Sequence, residues 1–104
     1  MKLLRDFRGA HVRLTDERLA HIFEHPEMAG METAIEETLS KPERVVQSAS
    51  GPEALLYYRF YTSTRVGGKF LCVVVKSIRG NSFILTAYLT DKMKLGESLW
   101  NVIS

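Results

Sequence analysis

From Arg44 onward the apolar residues recur at every second position, and this period is the strongest constraint the chain places on its own fold. Side chains of an extended strand alternate between the two faces, so such a period demands strands with one face turned to a core. Four runs carry it: residues 44–48, 55–62, 70–78 and 83–90. Ser50, Gly51 and Pro52 read as the turn after the first run, residues 66–69 as the second turn, and Gly80-Asn81 as a tight hairpin into the fourth run. The third run is apolar at nearly every position until Lys76, as expected of a central strand covered on both faces. In the fourth, Phe83, Leu85, Ala87 and Leu89 are assigned to the core and Thr86 and Tyr88 to the opposite face.

Before Pro42 the period is 3.6. After a short extended piece at residues 11–14, Thr15 or Asp16 caps a helix whose inward positions are Leu19, Ile22 and Phe23. Pro26 ends it, because a residue that precedes proline avoids the helical region. A second helix is predicted over residues 27–40, with Met28, Met31, Ile35 and Leu39 on one face and Glu32, Glu36 and Glu37 on the other. Residues 91–104 read as a polar turn, Lys92-Met93-Lys94, and a tail anchored by Leu99 and Trp100. The order predicts an α+β fold: two N-terminal helices packed on one face of a four-stranded, mainly antiparallel sheet.

A chain of 104 residues, 45% hydrophobic, fits one domain over 1–104 with a single core. The lone Cys72 has no disulfide partner within the chain and reads as a small buried hydrophobe in a reducing compartment, the cytoplasm. The first residues are too charged for a signal peptide, and no stretch approaches the roughly 20 apolar residues of a membrane span, so no membrane association is expected. Residues 1–54 hold seven Lys/Arg against ten Asp/Glu, net −3, whereas residues 55–104 hold seven against two, net +5. A basic half of this kind attracts polyanions, although lysines on strands serve equally to discourage edge association.

His21 and His25 stand four apart, on one face of the first predicted helix. With Glu24 they spell His-x-x-Glu-His, the inverted zinc-protease signature, but zinc needs a third protein ligand and His11 is the only other histidine. Acid–base work or phosphate binding, with no metal, is the chemistry expected of the pair, beside a plain structural role. Arg59 and Tyr61 share one strand face, Thr86 and Tyr88 another, and Lys76 ends the strand between them. A register that joins these faces makes an open sheet surface of cations, hydroxyls and rings, suited to a phosphodiester. There is no phosphate loop, dinucleotide fingerprint or nucleophile elbow, so no cofactor is expected.

The residues His21-Ile22-Phe23-Glu24-His25-Pro26-Glu27, Lys41-Pro42-Glu43, Tyr58-Arg59, Lys76 and Thr86-Ala87-Tyr88, with Lys92, Gly96 and Trp100, resemble the phage and bacterial nuclease-like domains of the barnase, EndoU, colicin and RelE-like group. The resemblance covers roughly residues 18–100. It implies helices followed by a four-stranded antiparallel sheet, and a metal-independent ribonuclease of toxin type with an antitoxin or immunity protein as partner. The implied reaction is attack of a ribose 2′-hydroxyl on the adjacent phosphorus, leaving a cyclic phosphate. His21 becomes the first general acid or base and His25 the second; Arg59 and Lys76 neutralise phosphate charge, and Thr86 and Tyr88 orient it or donate a proton. Tyr61, Lys92 and Lys94 complete the substrate-binding set. A catalytically silent RNA- or protein-binding module is the alternative. No oligomeric state follows from the sequence.

Overall fold

In the computed structural model, which describes residues 1–48, 51, 53–94 and 96–101, the last stretch as backbone only, the period-2 runs are strands, several longer than expected. They are β3 (Arg44–Ser48), β4 (Ala54–Thr64), β5 (Gly67–Ile78) and β6 (Asn81–Thr90). Three further strands join them: β1 (Lys2–Arg5), β2 (His11–Leu14) and β7 (Gly96–Asn101). The result is one seven-stranded sheet in the order β1-β2-β6-β5-β4-β3-β7. This overturns the four-stranded, mainly antiparallel sheet behind two N-terminal helices: two strands precede the helices, and β2 meets β6 in parallel at Arg13 and Phe83, while the other pairings are antiparallel. β1 is invisible to periodicity because only Leu4 of its four residues is buried. Ser50 and Pro52 of the expected turn, and the side chains of Leu99 and Trp100, lie outside the described residues.

The first helix, α1 (Asp16–Ile22), begins where its cap dictates: the Thr15 hydroxyl accepts a bond from the Arg18 N–H at 3.1 Å. The expected helix over 27–40 is interrupted. Pro26–Met28 form a single 3-10 turn, Ala29 is extended and Gly30 takes φ +79, a left-handed value glycine adopts without strain. Only from Glu32 to Ser40 does α2 run, and Ile35 and Leu39 are its buried apolar residues.

The helices cover one face of the sheet. Ile22, Met28, Ile35 and Leu39 pack there on Val45, Tyr57, Leu71, Val73, Val75, Ile84 and Ala87. The opposite face is a second buried layer of Val46, Leu56, Tyr58, Cys72 and Val74, with Leu85, Tyr88 and Met93 against it. In β6 the alternation reverses midway. Val74 pairs with Thr86 but Val75 with Ile84, so Leu85 is an extra residue. The bulge sends Ile84 to the helices and Leu85 away from them, whereas strict alternation assigns them the other way round.

The β1–β2 hairpin is tied to the sheet through Asp6, whose side chain is buried. Its carboxylate accepts the Arg8 and Ala10 N–H groups at 2.9 Å each and the Tyr57 hydroxyl at 3.0 Å. Burial, then the neighbouring Asp6 charge, raises Tyr57 well above the usual phenol range, so the hydroxyl remains a donor. Tyr57→Phe leaves one oxygen of a buried carboxylate without this donor and is expected to cost about 2 kcal/mol in urea unfolding. A loss below about 0.5 kcal/mol counts against the anchor. The β5–β6 turn supplies an opposite case: Arg79 at φ 52 precedes Gly80 at φ 81, a pair of left-handed residues where Asn-Gly is the preferred dipeptide. Arg79→Asn is expected to stabilise the chain by about 0.5 kcal/mol, a rise of about 2–4 °C in Tm; an unchanged or lower Tm contradicts the strain.

Candidate functional site

The register decides which expected site residues meet. Tyr57 pairs with Val73, and both lie under the helices; by alternation Arg59 and Tyr61 lie on that same face. Tyr88 pairs with Cys72 and Thr86 with Val74, on the opposite face. Arg59 and Tyr61 are therefore separated from Thr86, Tyr88 and Lys76 by the sheet itself. They hold α2 in place. Arg59 donates from Nη1 to the Lys41 carbonyl at 2.8 Å and pairs with Glu37 at 3.4 Å. The Tyr61 hydroxyl reaches Glu37 at 2.7 Å and the Ala34 carbonyl at 3.1 Å. The Tyr61 bond first, and the Arg59 charge beside it, hold the Glu37 carboxyl below its ordinary value, while burial pushes Tyr61 up to about 12.

Far from an open surface, the face opposite the helices is closed at its centre. Tyr58 and Cys72 are fully buried there, and the Tyr58 hydroxyl accepts the Lys94 N–H at 2.9 Å. Burial raises the Cys72 thiol and pushes Tyr58 up to about 12, leaving neither as a ready nucleophile. The Lys94 ammonium stands 5.9 Å from the centre of the Tyr88 ring, a cation over a π face. Arg44, beside Tyr58 in the register, has a buried Nε with no hydrogen-bond partner among the described residues. Lys76 lies at the far end of β5, between Ala54 and Phe83, and Lys92 is an exposed turn residue whose N–H donates to the Thr90 hydroxyl at 3.3 Å. Of the expected set, this face joins Thr86, Tyr88, Lys76 and Lys94, to which sequence reasoning had not added Arg44 or Tyr58.

The two histidines are not on one helical face. α1 ends at Ile22, and His25 is extended at φ −84, ψ 114, because Pro26 excludes the helical region for the residue before it. His21 is exposed beside Glu24, with Nδ1 3.6 Å from its carboxylate, in a patch with Glu17 and Arg18. His25 stands elsewhere, at the mouth of a cleft of about 320 Å³ between the 3-10 turn and the carboxyl end of β6. Glu27, Val66, Lys69, Tyr88 and Asp91 line the cleft with it, Leu89 and Thr90 forming its strand wall. The His25 Nδ1 lies 3.7 Å from a Glu27 oxygen, and Lys69 is ion-paired with Asp91. Among the described residues no group of three His, Cys, Asp or Glu side chains converges as zinc would require.

An imidazole beside a carboxylate, with an ammonium lining the same cleft, is a set able to move a proton and meet an anion. Tyr88 stays a phenol, raised by burial and by its bond to Cys72. Lys69, Glu27 and Asp91 escaped the sequence reading because nothing local marks them; Lys69 and Tyr88 belong to one cleft only through the β5–β6 pairing. No helix among the described residues is long and apolar enough to cross a membrane. Comparison with protein-family models, with curated proteins and with solved structures returned no match.

The α2 clasp has a pH signature. A carboxyl held below its unfolded value stabilises the fold above that value and loses the contribution as pH falls through its folded value. Tyr61→Phe removes the largest cause of the Glu37 shift, so its destabilisation is expected to be greatest at neutral pH and to shrink below the Glu37 reference of 4.5. Chemical denaturation at pH 7 and pH 3 checks this; an equal loss at both contradicts it.

Proposed function

We propose that the chain is a metal-independent endoribonuclease of toxin type, working in the cytoplasm and held in check by an antitoxin or immunity protein. The observation that carries the proposal is the cleft in which His25 and Lys69, 44 positions apart in the chain, lie together. His25 takes the proton of a ribose 2′-hydroxyl as that oxygen attacks phosphorus; a new P–O bond forms, the bond to the 5′-oxygen breaks, and the leaving oxygen receives a proton. A 2′,3′-cyclic phosphate and a 5′-hydroxyl are the products. The Tyr88 hydroxyl takes no part in this step, because its ring packs on the face opposite the helices. Lys94, over the Tyr88 ring, and Lys76 place further positive charge on the opposite face of the sheet.

His25 here replaces His21 as the acid–base residue, since His21 belongs to a separate exposed patch. Arg59 is not among the phosphate ligands, because its guanidinium is engaged by Glu37 and the Lys41 carbonyl. That engagement is also what favours the second reading, a catalytically silent module that binds RNA or protein: one cation expected at the scissile phosphate holds a helix instead.

Two measurements separate the readings. RNA affinity is expected to fall steeply with rising salt, and cleavage to yield cyclic-phosphate ends. His25→Ala is expected to lower the cleavage rate by about 100-fold or more and to relieve growth arrest on overexpression, whereas His21→Ala does neither. Salt-sensitive RNA binding without cleavage selects the silent module, and no RNA binding even at low salt removes RNA from both.

A further inference from the structure

Beside His25, the cleft holds a cation with an unusual partner. The Lys69 side chain is only 24% exposed, whereas the Asp91 carboxylate paired with it is 73% exposed. The Lys69 stem is packed into the wall of the cleft, while its bond to Asp91 is exposed to solvent. Asp91 is held by no comparable packing. Released into water it regains its hydration, and pairs of this exposure contribute about 0–1 kcal/mol. The two partners are thus unequally committed: the ammonium stays in the wall, and the carboxylate is exchangeable. Asp91 is the first residue beyond β6, at the bend before Lys92, while Lys69 is fixed within β5 opposite Tyr61.

We infer that Lys69 is the phosphate-binding cation of the cleft and that Asp91 occupies its place in the unliganded protein, leaving when a phosphate oxygen arrives. The inference deepens the ribonuclease reading and rests on it for the identity of the ligand. A phosphate group fits because its several oxygens meet Lys69 and the His25 imidazole together, where the single Asp91 carboxylate serves only Lys69. Asp91 acts as an internal competitor. Weak, adventitious anions are kept out, and a phosphodiester held elsewhere along the strand displaces it.

The probe is inorganic phosphate, titrated into the intact protein while the His25 ring resonances are followed by NMR, with acetate as the control anion. Phosphate is expected to shift those resonances at concentrations where acetate does not. Asp91→Asn is expected to tighten phosphate binding about 3- to 10-fold, and Lys69→Gln to weaken it at least 10-fold. Thermal melts confirm that both variants fold; Lys69→Arg, which keeps the charge, is expected to retain binding. Unchanged or weaker binding in Asp91→Asn, or binding indifferent to Lys69→Gln, overturns the inference. Phosphate binding needs no bond cleavage, so the two proposals fail separately. Lys69-dependent phosphate binding with no RNA cleavage leaves this site standing and removes the nuclease. RNA cleavage with phosphate affinity indifferent to both substitutions does the reverse.

Discussion

The double pairing of β5, with β4 on one side and β6 on the other, is the constraint on which the rest of the molecule depends. Its alternate residues are buried in opposite directions, Leu71, Val73 and Val75 toward the helices, Cys72 and Val74 away from them. Each of these removes apolar area from water at roughly 25 cal/mol per Å², so a slip of one residue would exchange two filled layers at once. With β5 held, parity assigns every neighbour. Tyr57 and Tyr61 go to the helix side, Tyr58 and Tyr88 to the other.

The polar contacts fasten what this sheet leaves loose. α2 has nine residues, too few for independent stability, and Tyr61, Arg59 and Glu37 bind its last turns to β4. At the other end of the helix, Lys2 of β1 pairs with Glu32 and, at 3.3 Å, with Glu36. Asp6 does for the β1–β2 hairpin what Glu37 does for α2, but from a buried position, which makes its bonds more costly to lose. These contacts explain why Arg59, a plausible phosphate ligand by residue type, is unavailable as one.

The candidate cleft lies at the margin where the sheet ends. The cleft lies between a 3-10 turn set by Pro26 and the end of β6, and its groups come from three separate stretches, 25–27, 66–69 and 88–91. Such junctions carry function because a rigid strand fixes some of the side chains while turns leave others room to move.

The sequence by itself determined the elements whose causes are local. Alternation set the four strands between Arg44 and Thr90, Thr15 set the start of α1, and Pro26 set the extended backbone of His25 beyond its end. The near-continuous apolar run of β5 showed that both its faces are covered. Only the tertiary structure decided the matters that depend on pairing between distant segments. β1 and β7 are strands because neighbours exist for their backbones, and β2 runs parallel to β6 for the same reason. The extra residue at Leu85 reverses the faces within β6, and no residue type there announces a bulge. For the same physical reason Arg59 and Tyr88 are on opposite sides of the sheet: parity along one strand is local, but parity between strands is a property of register.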